Sequence, residues 1–314
     1  MRITTLTVNP CIDRTIVIGH LEHGKSHRIE KTILDFSGKG INVALALAEL
    51  GADVTAVCAD HEDGVERDFF EKCEDIKPVF VPAKGKARVN IKLFEENSRQ
   101  MTEFNEKGAP ADALQVDAFW QKLCDLSNKT DLMVMAGSVP PGFPTSFYQE
   151  VGMMLTQKKI PFIVDASKST LMYGIEAGPI LIKPNAQEYE ECFNTKPQAT
   201  VEFCQSCRKM LDEKHIKYAV ISFGIDGSLI VGPKGAWKAE PVKVDVKGLQ
   251  GAGDSMVAGL AFMLAKHILD EQELLRFAVA CASATIEMPG TEMCKKEEIN
   301  KIIPRVCVTN LVLW

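Results

Sequence analysis

The chain has 314 residues, of which 46% are hydrophobic and 25% charged, and its formal net charge is −6. This length and composition suit one large α/β domain or two small ones with a substantial buried core. The negative charge argues against nucleic acid or an anionic membrane as a partner, because binding to either requires a basic surface.

The start of the chain and its cysteines bear on location. "MRITTLTVNP" has no charged segment followed by an apolar stretch, so no secretory signal is predicted, and no apolar run approaches the roughly 20 residues that span a bilayer. The ten cysteines are scattered and lack the spacing of a metal site, as is typical of small buried side chains in cytosolic proteins. We therefore expect a cytoplasmic protein that makes no membrane contact.

Residues 11–33 and 84–106 are each predicted to form a β-hairpin, because apolar residues alternate over short distances with no helical segment between them. These strands could extend a larger sheet, or they could form a small second sheet that covers a cleft. They could also be edge strands without a functional role.

From about residue 37 onward the chain alternates helical and strand-like segments. Short apolar runs separated by amphipathic stretches such as 112–126, 144–158 and 200–214 predict parallel strands buried on both faces. Ligands of such sheets bind outside the carboxyl ends of the strands. The segments that follow the predicted strands are rich in Gly, Pro, Ser and Asn: "AGSVPPG", "DASKS", "KPNAQE" and "SFGIDG".

The stretch "KGLQGAGDSMVAGL", residues 247–260, predicts a helix that begins near Gly251 with one apolar face. Backbone N–H groups in the first turn of a helix lack partners and attract anions, and Gly and Ala allow an anion to approach them closely. Asp254 stands directly after these residues. It is either an ordinary helix-start residue or the base that takes a proton during phosphoryl transfer.

"GLQGAGDSMVAGL" resembles the C-terminal signature of the ribokinase-like sugar kinases, and "FSGKGINVALALAELG" at residues 36–51 resembles the second signature of their phosphofructokinase-B branch. "AGSVPPG", "KPNAQE" and "SFGIDG" stand between them in the order of the family. The resemblance covers essentially the whole chain. It implies a single three-layer α/β/α domain over residues 1–314, with a mostly parallel central sheet and a small β-sheet lid formed by about 11–33 and 84–106.

The resemblance assigns the catalytic and nucleotide-binding residues. Asp254 is implied to be the catalytic base beside an anion hole made by Gly251, Ala252 and Gly253. "KPNAQE" resembles the N-x-x-E motif, so Asn185 and Glu188 are implied to hold Mg²⁺, in part through water, since this ion prefers oxygen ligands. The residues implied to bind ATP are Lys183, Asn185, Ser222, Gly224 and Gly227.

On the sugar side, the resemblance implies that Asp13 accepts hydrogen bonds from ring hydroxyls. Lys25 and Arg88, one from each hairpin, are implied to hold the phosphate that the substrate already carries, and a guanidinium suits two phosphate oxygens at once. Without the family, both would be interpreted as solvated surface charges. The other implied substrate-binding residues are Gly38, Lys39, Gly40, Asn42 and Ser138.

"ARVNIKLFEENSRQMTEFN" most resembles the 1-phosphofructokinases of this family. It implies that ATP, with Mg²⁺, phosphorylates fructose 1-phosphate to fructose 1,6-bisphosphate. Tagatose-6-phosphate kinase and 6-phosphofructokinase activities of the same family are the alternatives. The family resemblance also implies a homodimer that forms through the lid.

Two alternatives come from other classes. "GHLEHGKS", residues 19–26, matches the phosphate-binding pattern G-x-x-x-x-G-K-S, which would make the protein a P-loop NTPase. Against this, bulky and acidic residues such as Glu22 stand where phosphate oxygens would bind, and the following "HRIEKTILDF" fits a strand as well as a helix. A sugar-phosphate sensor that binds without turnover is the other alternative, since a fold does not fix a function.

Overall fold

The structure is a computed structural model that describes residues 1–248, 250–290 and 292–314. Leu249, which belongs to the predicted helix-start motif, lies outside the described residues. The strands are β1 (Arg2–Thr7), β2 (Cys11–Ile18), β3 (Lys31–Ser37), β4 (Asp53–Asp60), β5 (Ile76–Pro82), β6 (Arg88–Glu95), β7 (Gln100–Asn105), β8 (Leu132–Ala136), β9 (Phe162–Asp165), β10 (Leu181–Ile182), β11 (Tyr218–Ser222), β12 (Ser228–Val231), β13 (Gly235–Ala239) and β14 (Val308–Leu313).

Ten of these strands, within the described part of the chain, form a central sheet in the order β14-β13-β12-β11-β10-β9-β8-β1-β4-β5. All neighbours from β11 to β5 pair in parallel. The remaining three pairs, from β11 to β14, are antiparallel. The predicted mostly parallel sheet is therefore confirmed, and its parallel strands end along one edge.

Helices cover both faces of the central sheet and make the three predicted layers. Along β8, Leu132, Val134 and Ala136 belong to one apolar core, while Met133 and Met135 belong to the other. Such strands, buried on both faces, are typical of parallel sheets. The helices are α1 (Lys39–Glu49), α2 (Val65–Phe70), α3 (Ala113–Ser127), α4 (Phe147–Gln157), α5 (Lys168–Ile175), α6 (Ala186–Phe193), α7 (Val201–Glu213), α8 (Ala252–Ala265), α9 (Glu271–Ile286) and α10 (Lys296–Ile302).

Helix α8 differs from its prediction in how it is buried. The sequence predicts one apolar face, but every residue from Asp254 to Phe262 is buried, because α8 packs between α1 and α9. A helix that is apolar on nearly all sides belongs in a core rather than at the surface. As a separate finding over the described residues, no helix combines the length and the hydropathy that a bilayer crossing requires.

The two predicted hairpin regions form a separate sheet, called the small sheet below, in the order β3-β2-β6-β7. β2 pairs with β3 and β6 with β7 in antiparallel fashion, and a parallel pairing of β2 with β6 joins the hairpins. The first two alternatives for residues 11–33 and 84–106 are thereby decided in favour of a second sheet. β3 ends at Ser37 and the chain enters α1 at Lys39, so the small sheet is tied closely to the start of that helix.

Helix α1 packs closely against β1, and Gly40 is the reason. A Cβ at position 40 would clash with the Leu6 carbonyl oxygen and with the Thr7 side chain. Glycine thus allows the first turn of α1 to rest directly on the carboxyl end of β1. This contact fixes where Lys39 and Asn42 point, which gives Gly40 a packing role whatever it contributes to ligand binding.

Candidate active site

A cavity of about 790 Å³ opens between the carboxyl ends of the parallel strands and the small sheet. Residues at or just after the carboxyl ends of β1, β8, β9, β10 and β11 line one wall, and the small sheet supplies the opposite wall. Because it lies at the carboxyl ends of parallel strands, the cavity is where open parallel sheets bind ligands. Most of the predicted site residues line it. Those residues are Asp13, Gly38, Lys39, Asn42, Arg88, Ser138, Lys183, Asn185, Glu188, Ser222, Gly251, Gly253 and Asp254.

The first turn of α8 begins at the cavity. Gly251 precedes the helix with φ of 74°, a left-handed conformation that glycine adopts without strain. The backbone N–H of Ser255 donates to the Gly251 carbonyl at 2.8 Å, so the N–H groups before it have no partner within the helix. A Cβ on Gly253 would stand 3.7 Å from the Lys183 ammonium. Bare amides and a cation thus share one end of the cavity, which suits an anion.

Asp254 sits in that first turn with 8% of its surface exposed. Its Oδ2 accepts a 2.7 Å hydrogen bond from Asn42 Nδ2 in α1. Burial raises the pKa of Asp254 to about 6, and the nearby Asp165 adds to the rise, while Lys39, Asn42 and Lys183 oppose it. A carboxylate with a pKa near 6 is mostly ionised at neutral pH and accepts a proton readily, as a general base must.

Asp165, at the end of β9, pairs with two of the lysines that line the cavity and was not predicted as a site residue. It is 1% exposed, and its Oδ1 lies 3.2 Å from Lys39 Nζ and 3.4 Å from Lys183 Nζ. Burial lowers the pKa of Lys39, but the carboxylates around it, Asp165 foremost, outweigh that effect and raise its pKa. "DASKS" marked this strand end as part of the site, but the sequence alone showed no partner for its aspartate.

Asn185 and Glu188 form a capping box at the start of α6. Asn185 Oδ1 accepts from the Glu188 N–H, and Glu188 Oε2 accepts from the Asn185 N–H, both at 2.8 Å. Glu188 Oε1 also lies 3.4 Å from Lys39 Nζ. The N-x-x-E spacing therefore has a local structural cause, and the same geometry turns one glutamate oxygen toward the cavity.

The small sheet presents a polar face to the cavity because alternate residues of β6 point the same way. Arg88 donates to the Glu106 carbonyl at 3.0 Å, and Asn90 Nδ2 donates to Asp13 Oδ1 at 3.2 Å. Lys92 was not predicted, yet its ammonium donates to Asp13 Oδ2 at 2.7 Å. The alternation in "ARVNIKL" is the signal that could have added Lys92 to the predicted set.

Five predicted residues do not line the cavity. Lys25 lies at the exposed tip between β2 and β3 and pairs with Glu22, so the structure does not bring it to Arg88 within one chain. Gly224 and Gly227 belong to the turn after β11, where a Cβ at position 227 would clash with the Ala239 carbonyl. Gly40 packs on β1 as described, and Ala252 is the first residue of α8.

The P-loop alternative is wrong. Residues 19–26 form the connection between two antiparallel strands, and the segment that follows is β3 rather than a helix. A P-loop binds phosphate at the start of a helix that directly follows the loop. "GHLEHGKS" therefore matches the pattern without its structural context.

Three comparisons place this geometry among known proteins. A family model described as pfkB family carbohydrate kinase matches residues 6–298. The 1-phosphofructokinase of Escherichia coli K12 is 31% identical over 308 residues, which cover 97% of this chain and 97% of that protein. The tagatose-6-phosphate kinase of Staphylococcus epidermidis is 30% identical over 283 residues, which cover 88% of this chain and 90% of that protein.

Solved structures share the whole fold. A crystal structure described as a possible 1-phosphofructokinase from Thermotoga maritima superposes with a TM-score of 0.88 at 25% identity, over 99% of this chain and 100% of that chain. The ribokinase-like three-layer architecture expected from the sequence is confirmed.

Asp254→Asn is expected to stabilise the fold at neutral and higher pH. Since the folded-state pKa of about 6 exceeds the ordinary 3.8, ionised Asp254 opposes folding above pH 6. That cost, up to about 3 kcal/mol, disappears as the pH falls through 6 toward 4, so the gain from Asn disappears with it. Urea unfolding at pH 8 and at pH 4 measures the free energy of unfolding of both proteins where the cost is complete and where it has disappeared.

Asp117→Asn, the same change at an exposed position of α3, is the control and is expected to leave stability nearly unchanged at both pH values. An Asp254→Asn protein that is less stable than wild type at pH 8 would contradict the raised pKa.

Proposed function

The chain belongs to the pfkB family of carbohydrate kinases, and we propose that it transfers the γ-phosphoryl group of ATP to the free primary hydroxyl at carbon 6 of fructose 1-phosphate. The product is fructose 1,6-bisphosphate. The observation that carries this proposal is the position of buried Asp254 in the first turn of α8, whose amides before Ser255 have no hydrogen-bond partner among the described residues, at one end of a cavity bounded by the small sheet.

In the proposed reaction, Asp254 accepts the proton of the attacking hydroxyl. Its pKa of about 6 leaves it ionised at neutral pH, and the hydrogen bond from Asn42 keeps the carboxylate oriented. The hydroxyl oxygen then bonds to the γ-phosphorus while the bond to the ADP oxygen breaks. The anion hole of Gly251, Ala252 and Gly253 donates N–H groups to the charge on the transferred group, without side chains that would block its approach.

At the sugar end, Asp13 is proposed to accept hydrogen bonds from ring hydroxyls and Arg88 to bind the existing phosphate. Arg88 supports this role because its guanidinium stands at the cavity wall beside Asn9, whose Nδ2 donates to Ser138 Oγ at 3.2 Å. Arg88 donates to the backbone carbonyls of Asn9 and Glu106, and these two bonds fix the plane of its guanidinium group. Gly38, Lys39 and Asn42 complete the proposed sugar site from the start of α1.

At the nucleotide end, Lys183 and Ser222 are proposed to contact the ATP phosphates, with Gly224 and Gly227 along the nucleotide. Lys183 supports this because its ammonium is buried beside the anion hole and is held by Asp165. Gly227 has φ of 94°, so the turn after β11 adopts a shape that only glycine tolerates easily.

Three oxygen-bearing side chains that line the cavity, those of Asp165, Asn185 and Glu188, fit Mg²⁺. Asp165 Oδ2 is buried and finds no hydrogen-bond partner among the described residues, although it lines the cavity. Glu188 offers a second carboxylate and Asn185 an amide oxygen, the hard oxygen ligands that Mg²⁺ accepts. We propose that these three residues hold the ion, in part through water. When bound, Mg²⁺ neutralises phosphate charge and orients the γ-phosphoryl group.

We also propose a homodimer that forms through the outer face of the small sheet. Leu34, Ile91 and Phe104 stand in one register row across β3, β6 and β7, with Arg14 between the first two. They are 64%, 36% and 56% exposed, an apolar row on the face turned away from the cavity. Large apolar side chains exposed together on one face are typical of a protein interface.

The proposed reaction is tested by ADP release with three acceptors: fructose 1-phosphate, tagatose 6-phosphate and fructose 6-phosphate. The highest kcat/KM is expected for fructose 1-phosphate, and it should fall as the pH drops below about 6, where Asp254 becomes protonated. Asp254→Ala should lower kcat by about 10²- to 10⁴-fold with KM little changed, because a positioned base acts in the transition state.

If tagatose 6-phosphate or fructose 6-phosphate gives the higher kcat/KM, that sugar phosphate is the substrate and the assignment of fructose 1-phosphate is wrong. Thermal stabilisation by fructose 1-phosphate without turnover of any acceptor would instead favour the sensor alternative. An Asp254→Ala enzyme within threefold of wild type would remove Asp254 from the mechanism.

The dimer is tested by Leu34→Glu and Phe104→Glu, which place charges in the apolar row. Sedimentation equilibrium is expected to give a dimer for wild type and a monomer for both variants, because a buried unpaired charge is costly. Leu114→Glu, at an exposed position on α3, is the control and should remain dimeric. A wild-type protein that is monomeric at micromolar concentration would contradict the proposal.

A further inference from the structure

Lys92 makes the contact that connects the small sheet to the anion-hole end of the cavity. Its side chain leaves β6 on the cavity face, and the residue is 9% exposed. Its ammonium donates to Asp13 Oδ2 at 2.7 Å and to Gln250 Oε1 at 2.8 Å. Asp13 belongs to the small sheet itself, whereas Gln250 lies across the cavity, 158 positions away in the sequence.

Gln250 is the residue directly before Gly251, where the backbone turns into α8. Gly251, Ala252 and Gly253 have almost no side chain with which to fix their own conformation, and glycine loses more entropy than other residues when it is ordered. Met293 packs behind this turn, since its Cε stands 2.7 Å from where a Cβ of Gly251 would lie. On the cavity side, Lys92 restrains the same turn through its hydrogen bond to Gln250.

The buried ammonium requires both partners. A buried cation is unfavourable unless it is paired and its donors are used. Asp13 supplies the opposite charge, and Gln250 accepts a further N–H. If the small sheet moved away from the central sheet, the bond to Gln250 would break first, because Asp13 moves together with Lys92 on the same sheet.

We propose that Lys92 is a positioning residue that orders the anion hole through Gln250 whenever the small sheet is closed over the cavity. The inference rests on the proposed kinase function, which it deepens. The small sheet then has two tasks: Asp13 contacts the sugar, and Lys92 sets the backbone that receives the phosphoryl group. The Lys92 ammonium bonds to both Asp13 and Gln250, and sugar binding is therefore linked to the order of the anion hole.

The test compares Lys92→Met, Gln250→Ala and the double variant with wild type. Hydrogen–deuterium exchange of the amides at 251–254 is expected to accelerate in all three. Each single variant should lower kcat about 10- to 100-fold, as misplaced catalytic groups do. The double variant should be no slower than Lys92→Met, because both changes remove the same contact. KM for the sugar phosphate should rise only in the variants that lack Lys92, through Asp13.

Glu95→Gln is the matched control. Glu95 lies three positions further along β6, and among the described residues its side chain bonds to His20 and Leu21, in the connection between β2 and β3. It tests whether any disturbance of the small sheet has the same effect, and it is expected to leave exchange at 251–254 and kcat unchanged.

Unchanged exchange at 251–254 in Gln250→Ala would overturn the proposal, as would kcat losses that multiply in the double variant. If Lys92→Met does not fold, Gln250→Ala alone decides, since it removes no charge from the core. The exchange measurement needs no substrate, so it stands even where the acceptor proves to be another sugar phosphate. Failure of the kinase proposal would show separately, as wild-type protein without turnover.

Discussion

The active-site geometry depends on the placement of one ionised carboxylate where water is largely excluded. Asp254 is buried in the first turn of α8, and its charge is tolerated because Asn42 donates to it and two lysines stand near it. Those lysines are held in turn by Asp165. The result is a carboxylate that is less stable in its charged form than an exposed one, and is therefore a better proton acceptor near neutral pH.

The fold brings these groups together from four separate elements. β9 and β10 end side by side in the parallel sheet, which places Asp165 beside Lys183, and α1 and α8 start at the same edge. Gly40 lets α1 rest on β1, so that Asn42 reaches Asp254. The small sheet runs directly into α1 at Gly38 and contacts the turn before α8 through Lys92. The small sheet is thus in contact with the starts of both α1 and α8.

The sequence predicted the elements well because their signals are local. Apolar periodicity located α3, α4 and α7 within a few residues, and the short alternation at 11–33 and 84–106 indicated strands. The motifs located the edge of the sheet where most site residues meet. What the sequence missed depends on contacts between distant segments: Asp165 meets Lys39 across 126 positions, and Lys92 meets Gln250 across 158. The role of Lys25 stays a prediction, because its side chain lies in the exposed connection between β2 and β3 and does not line the cavity of its own chain.

A crystal structure with fructose 1-phosphate and a non-hydrolysable ATP analogue tests the central assignment most directly. The predicted result has the terminal phosphate within hydrogen-bond distance of the amides at 251–253, and the carbon 6 hydroxyl in contact with Asp254. A terminal phosphate bound against residues 19–26, or a sugar hydroxyl out of reach of Asp254, would contradict it.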